Sequence, residues 1–212
     1  MHRCFECGDF QHKREFQIVL AVKIPQRLQC GFTLIELMVT ISIAAVLMMI
    51  AIPSLTTYRR NAELTSVTNT LVASINTARG EALKRGLSSM VVPINNGTVW
   101  ATGWVVFVDT DSSRTYSNAT DTLVYTAPAP EGYINITATG PASAAISQII
   151  FDSSGYPRTA AGASGNFTFR VERNDSTDSS EKRFIVVART GRTRVCKPIS
   201  ASDPACSSTS SE

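Results

Sequence analysis

Histidine is nearly absent from this chain: His2 and His12 are the two that occur among 212 residues. Both precede the first long apolar run, so the sequence after that run has no imidazole for a Ser-His-Asp or Cys-His site. The His-Glu-x-x-His, Gly-x-Ser-x-Gly and phosphate-loop patterns are missing as well. The sequence therefore predicts a protein that is not an enzyme, with no cofactor and no resident metal.

Cysteine and net charge are also low. Cys4, Cys7 and Cys30 precede the apolar run, which leaves Cys196 and Cys206 after it. In an exported domain one such pair predicts a disulfide that closes a short loop. Cys4-x-x-Cys7 would suggest a metal or redox site in a cytosolic protein, but the chain has no second pair to complete one. The formal net charge is +3, so any contact with nucleic acid must come from local clustering.

A long apolar run is present between Phe32 and Ile52. Its length suits the roughly 20 residues that a membrane-spanning helix needs. The basic residues before it favour a cytoplasmic N-terminus and an exported C-terminal domain. A secretory signal peptide is one alternative, but its apolar core would be shorter and would end in a small-x-small cleavage site. A simple uncleaved anchor is another, and it leaves the carboxylate of Glu36 inside the run unexplained.

The start of the run resembles the cleavage and methylation motif of type IV pilins and type II secretion pseudopilins. The matching residues are Gly31-Phe32-Thr33-Leu34-Ile35-Glu36-Leu37. The resemblance implies that a prepilin peptidase cuts after Gly31 and methylates Phe32, which removes both histidines. It also implies that Glu36 pairs in the membrane with the terminal amine of a neighbouring subunit, where a cation makes its burial tolerable. Pro53 stands where this family often has a helix-kinking proline.

After Pro53, apolar residues recur at spacings of three and four, which predicts an amphipathic helix that covers a folded domain with one face. These residues are Leu64, Val67, Leu71, Ile75, Ala78 and Ala82. Gly86 predicts the end of that helix.

Beyond Gly86 the pattern changes to short β-like runs separated by polar stretches, which we expect to be surface loops. The predicted strands are Ser89–Ile94, Trp104–Val108, Thr122–Tyr125, Tyr133–Ala138, Ile146–Phe151, Asn166–Glu172, Arg183–Ala188 and Arg192–Cys196.

Three further segments resemble the GspH/FimT branch of the pilin family. They are Ala78–Gly86, Trp100–Asp109 and Ile150–Gly155. The resemblance implies an α+β, type IV pilin-like fold. In that fold a long N-terminal α-helix, half in the membrane and half amphipathic, packs on a C-terminal antiparallel β-sheet head. It implies a minor pilin or pseudopilin and not the abundant filament subunit.

The implied domain organisation has five parts. They are a cleaved leader (1–31), a transmembrane and assembly helix (32–53), an amphipathic helix (54–86), a β-rich head (87–199) and a C-terminal tail (200–212). The expected location is the inner membrane with a periplasmic head, and then a type IV pilus or type II secretion pseudopilus. Expected partners are the prepilin peptidase, other major or minor pilins or pseudopilins, and inner-membrane lipid. The implied role is filament assembly or priming, in secretion or pilus function.

A basic cluster near the C-terminus suggests an alternative function. Its residues are Arg189, Gly191, Arg192, Arg194 and Lys197. Thr190-Gly191 is typical of a tight turn between strands, and two arginines two residues apart on a strand lie roughly 7 Å apart on one face. Gly191-Arg192-Thr193-Arg194 resembles the Gly-Arg-x-Arg motif of FimT-type pilins that bind DNA in natural transformation. Such binding would be led by the phosphate backbone and depend on salt. Alternatively, the arginines form a solvated face or pair with Asp203, Glu181 or a neighbouring subunit.

Asp109-Thr110-Asp111 is the remaining candidate site. Spaced carboxylates of this kind can hold a calcium ion. The alternative, which we favour, is a solvated exit from the preceding strand into a loop.

Overall fold

The computed structural model describes residues 31–176 and 178–200, together with Asp203 and Cys206. The predicted leader, 1–31, lies outside the described residues except for Gly31, and so does the Cys4-x-x-Cys7 pair. Most of the predicted tail, 200–212, lies outside them too. The chain divides within its long helix into a first unit that ends at Leu47 and a second that begins at Met48.

Helix α1 spans Leu34–Arg85, a length of 52 residues. Thr33 caps it, because the backbone N–H of Glu36 donates to the Thr33 hydroxyl at 3.3 Å and one orphan donor of the first turn is thereby satisfied. The hydroxyls of Thr40 and Ser42 donate to helix carbonyls three and four residues back, at 2.8 and 2.7 Å. Neither hydroxyl is therefore left unpaired among the apolar side chains around it.

Among the described residues, α1 is the one helix that is long and apolar enough to cross a membrane, judged by length and composition. None of its apolar window is buried inside the protein. These apolar side chains can be removed from water only by contact with lipid or with another chain. The backbone remains helical through Pro53, so the proline does not end the helix.

The second unit begins with the rest of α1. One face of this part of the helix is buried against the strands that follow it. The six apolar residues predicted to face the head are all buried: Leu64, Val67, Leu71, Ile75, Ala78 and Ala82. Thr68 and Ser74 are buried beside them, and each donates its hydroxyl to the carbonyl four residues back. The helix ends at Arg85, and Gly86 follows with a φ of 69°, as the glycine stop predicts.

The described part of the head contains nine strands in two antiparallel sheets. Their bounds are β1 Ser89–Pro93, β2 Trp104–Val108, β3 Thr122–Ala127, β4 Ile134–Thr139, β5 Ile149–Phe151, β6 Pro157–Arg158, β7 Phe167–Arg173, β8 Lys182–Val187 and β9 Thr193–Cys196. The first sheet has the order β3-β2-β1-β5-β6, and the second has the order β4-β7-β8-β9. The α+β class is confirmed, but the head contains two sheets where the prediction named one.

The first sheet is apolar on both faces, which explains the nearly continuous apolar runs of β1 and β2. Val91 and Val106 face the main core that α1 and the second sheet share. Met90 and Phe107 face the opposite side and form a smaller cluster. Tyr116 covers that cluster, with its ring centroid 5.2 Å from that of Phe107. A loop thus shields the face that α1 does not reach.

Two tryptophans connect the helix and the sheets through polar bonds inside the core. The indole N–H of Trp104 donates to the Ser74 hydroxyl at 2.9 Å, and this bond ties α1 to β2. Trp100 donates to the carbonyl of Ile146 at 3.1 Å and packs edge-on against Phe169 at 4.9 Å. Both indole groups are fully buried, so these bonds satisfy donors that would otherwise be costly.

Strand β6 is absent from the strands predicted from sequence. It contains two residues and begins with Pro157, so it shows no alternation of apolar and polar side chains. Pairing with other segments defines it.

Candidate functional site

The predicted processing residues lie at the start of α1. Phe32 is 81% exposed, and a Cβ added to Gly31 would meet no atom within 4 Å. Glu36 lies on the first helical turn and is exposed. A carboxylate in the first turn complements the helix dipole.

Five residues, Ala188 to Arg192, join β8 to β9 and form the basic loop. The N–H of Ala188 donates to the carbonyl of Arg192 at 2.9 Å, so Arg189, Thr190 and Gly191 form the three-residue tip of the hairpin. Gly191 has a φ of 81°, in the region that glycine adopts without strain. A glycine at the last position of a three-residue hairpin loop is a common turn chemistry. Arg189 and Arg192 are both exposed.

The other basic residues differ in accessibility. Arg194 lies within β9 opposite Val186. Its side chain is half-buried, and the residue already takes part in an interaction within the chain. Lys197 is exposed just beyond β9. Arg183 donates to two backbone carbonyls at 2.7 and 2.8 Å, and burial lowers its pKa. Arg189, Arg192 and Lys197 are therefore the cations of this cluster that solvent reaches most easily.

Cys196 and Cys206 are joined by a disulfide in the structure, with their Cα atoms 5.4 Å apart. That separation lies within the usual range for native disulfides. Cys206 is 4% exposed, and the N–H of Ile199 donates to the Asp203 carboxylate at 3.0 Å within the closed loop. Cys196 is the last residue of β9, so the bond ties Cys206 to the end of this strand.

An acidic cluster lies in the loop between β2 and β3. The carboxylates of Asp109, Asp111 and Asp121 each have an oxygen within 4.8 Å of the others. Asp109 is 3% exposed, so the prediction of a solvated strand exit is wrong for this residue. Its carboxylate accepts the backbone N–H groups of Ser113 and Arg114 at 3.1 and 3.2 Å, and burial raises its pKa. Hydrogen bonds from Ser113 lower the pKa of Asp111 to about 2.

A buried ion network joins α1 to the second sheet. Arg173, at the end of β7, is 5% exposed. It donates to both carboxylate oxygens of Asp175, at 2.9 and 2.8 Å, and to Glu181 at 2.8 Å. From α1, Asn61 accepts from Arg173 at 3.1 Å, and Arg60 pairs with Asp175. Hydrogen bonds from Arg173 lower the pKa of Asp175 to about 2.

The family model of the type II transport protein GspH matches residues 67–191, from the amphipathic part of α1 to the loop before β9. The chain belongs to the GspH family. The model of the prokaryotic N-terminal methylation motif matches residues 26–52. This GspH-family chain is therefore a minor pilin or pseudopilin, a class of structural subunits that are in general non-enzymatic. The GspH match ends at Gly191, so Arg192 and Arg194 lie beyond it. No curated protein matches the sequence.

Two crystal structures of the type IV minor pilin FimU from Pseudomonas aeruginosa (strain PAO1) are similar to this GspH-family chain. The P21 form is 17% identical, with a TM-score of 0.48, and the match covers 64% of this chain and 89% of FimU. The P65 form is 16% identical, with a TM-score of 0.43, and the match covers 62% and 91%.

One residue beside the basic loop is not indicated by the sequence. Arg79 is one of the polar residues between the apolar positions of α1, and the structure places its guanidinium against the carbonyls of Gly155 and Thr190. The residues that Arg79 contacts lie 76 and 111 positions away, so no local pattern indicates the contact.

Proposed function

We propose that this protein is a minor subunit of a type IV pilus or of a type II secretion pseudopilus. Residues 32–53 hold it in the inner membrane, and residues 54–86 and the head, 87–199, lie in the periplasm until the subunit enters a filament. The observation that carries the proposal is the methylation-motif match at 26–52, followed further along the chain by the GspH match at 67–191. The role is assembly or priming of the filament, with other pilins or pseudopilins as partners.

The chemistry of assembly follows from the first turn of α1. A prepilin peptidase removes residues 1–31 and leaves Phe32 as the methylated first residue. The carboxylate of Glu36 then lies in a segment whose exposed side chains are almost all apolar. An unpaired charge is costly there, and the terminal amine of a neighbouring subunit would neutralise it. Correct pairing would therefore favour the filament over the free subunit in the membrane.

The processing step is tested by mass spectrometry of the mature protein. We expect its N-terminal peptide to begin at Phe32 and to carry one methyl group on the amine. The control is the same protein from cells that lack the prepilin peptidase, in which the leader should remain attached. A mature N-terminus at any other residue would refute processing after Gly31.

A second candidate function is DNA binding by the basic loop. Two observations favour it: Arg189 and Arg192 are exposed on a tight loop, and Lys197 is exposed next to the end of β9. Guanidinium groups match phosphate oxygens well and stay charged at any physiological pH. The contact would be made to phosphates and would not depend on base sequence.

The DNA test compares the full chain in detergent with its Arg189→Ala/Arg192→Ala variant, which removes the two exposed arginines, in gel-shift assays on random-sequence duplex DNA. Loss of two phosphate contacts should weaken binding and reduce the slope of log K against log salt by about 1.8. The control, Lys84→Ala/Arg170→Ala, removes two exposed cations outside the basic loop, one in the last turn of α1 and one on β7, and should bind like the wild type. Equal retardation of the arginine variant and the wild type would show that these arginines do not bind DNA.

A further inference from the structure

Arg79 contacts the two sheets of the head with a single guanidinium. Its Nε donates to the carbonyl of Gly155 at 3.1 Å, and its Nη2 donates to the carbonyl of Thr190 at 3.2 Å. Gly155 lies in the turn between β5 and β6 of the first sheet, and Thr190 lies in the basic loop between β8 and β9 of the second. One side chain from α1 therefore fixes the position of one turn relative to the other.

The packing around this contact leaves no space for a side chain. A Cβ added to Gly191 would lie 2.5 Å from the carbonyl oxygen of Gly155 and 2.6 Å from Nε of Arg79. Both glycines have a positive φ, 75° at Gly155 and 81° at Gly191. Glycine adopts this conformation without strain, and its lack of a Cβ permits the close approach. The basic loop thus lies directly against the guanidinium plane.

The Gly155 turn is itself held by a carboxylate, so it provides a fixed point for Arg79. The Asp152 side chain accepts the N–H groups of Ser154 and Tyr156, each at 3.0 Å, and pairs with Arg158 at 3.0 Å. Burial raises the pKa of Asp152, but these hydrogen bonds outweigh it and the pKa is lowered overall. The carboxylate therefore remains charged, and the turn keeps its shape.

We propose that Arg79 is a positioning residue for the basic loop: it holds Arg189 to Gly191 in one conformation and so sets the direction in which Arg192 leaves the head. The proposal rests on the DNA-binding function proposed above. Two donors of Arg79 already bond protein carbonyls, so its part is to order the loop before DNA arrives. A loop that must be ordered during binding loses conformational entropy at that step, and the affinity falls.

Two substitutions separate positioning from charge. Arg79→Gln removes the charge and the paired donors, whereas Arg79→Lys keeps the charge but offers one ammonium in place of a planar group with several fixed donors. We expect both variants to bind random-sequence duplex DNA about tenfold more weakly than the full-length wild type, while the salt slope stays unchanged. If Arg79 contacted a phosphate itself, Lys would restore binding and Gln would lower the slope by about 0.9.

The decisive measurement is a double-mutant cycle of Arg79→Gln with Arg192→Ala in the full chain. Because Arg79 acts through the arginines of the loop, Arg192 among them, we expect the effect of Arg79→Gln to be smaller when Arg192 is already alanine. Ser74→Ala serves as the stability control. It removes the bond to Trp104, in which no residue of the basic loop takes part, and should leave DNA affinity unchanged even if the thermal midpoint falls.

The outcomes separate the two proposals. If Arg192→Ala weakens binding but the Arg79 effect is absent, additive in the cycle or rescued by lysine, the positioning role is overturned and DNA binding stands. The same holds if Ser74→Ala weakens binding as much as Arg79→Gln does, because the effect would then be one of general stability. If Arg189→Ala/Arg192→Ala binds DNA as the wild type does, both proposals are overturned.

Discussion

Glu36→Ala is expected to leave cleavage after Gly31 intact and to reduce incorporation into filaments about 100-fold. The reason is that removing one member of a buried charge pair costs about 3 kcal/mol, which corresponds to a factor of about 100 in an equilibrium constant. In the proposed filament the partner is the terminal amine of the neighbouring subunit, which would remain in the apolar layer without its counter-charge. The measurement is the ratio of subunit in sheared filaments to subunit in the membrane fraction.

Glu36→Gln is the matched control for helix capping. Thr33 and Glu36 have the spacing of a capping box, and the Glu36 N–H donates to the Thr33 hydroxyl. Glutamine at this position can still serve a capping box but carries no charge. We therefore expect Glu36→Gln to fail in assembly as Glu36→Ala does. Normal incorporation of the glutamine variant would show that capping, and not charge pairing, explains the glutamate.

Arg173→Met is expected to destabilise the head by about 3 kcal/mol. Arg173 is the centre of the buried ion network, and its loss leaves Glu181, which is 8% exposed, without the guanidinium that now pairs with it. Removing one partner of a buried pair costs about 3 to 5 kcal/mol, because the remaining charge stays buried. The lower figure applies here, since Asp175 is partly exposed and still pairs with Arg60.

The measurement for Arg173→Met is thermal unfolding of the full chain in detergent. A loss of about 3 kcal/mol should lower the midpoint by about 10 °C in a protein of this size. Arg170→Met is the control on the same strand. Arg170 pairs with Glu172 at 3.1 Å, but its side chain is 44% exposed, and surface pairs contribute at most about 1 kcal/mol. Equal midpoints for the two variants would contradict the view that the network joins α1 to the second sheet.

Much of the fold follows from local patterns. The six apolar positions of the second half of α1 are buried as predicted, because a helix repeats every 3.6 residues whatever it packs against. Each of the eight predicted strands contains an observed strand or overlaps one closely, because alternation and turn residues are readable within a few positions. Strand β6, Pro157–Arg158, was missed because two residues show no alternation, and pairing with other segments defines the strand.

The burial and contacts of several polar residues could not be predicted from local patterns. Asp109, Arg173 and Arg79 all look like solvent-facing residues in the sequence. The structure buries the first two and places the third against two turns. Burial of a polar group depends on the partners that satisfy it. For Arg79 those partners lie 76 and 111 residues away in the chain.

The sequence by itself determined the motif at Gly31 to Glu36, the apolar span, the buried face of α1 and most of the strands. Each of these depends on residues a few positions apart, and helical or strand periodicity expresses them directly. Only the tertiary structure decided that the head has two sheets, that Arg173 joins α1 to the second sheet, and that Arg79 meets the basic loop. These features depend on strand pairing and charge pairing between distant segments, which chain folding alone brings together.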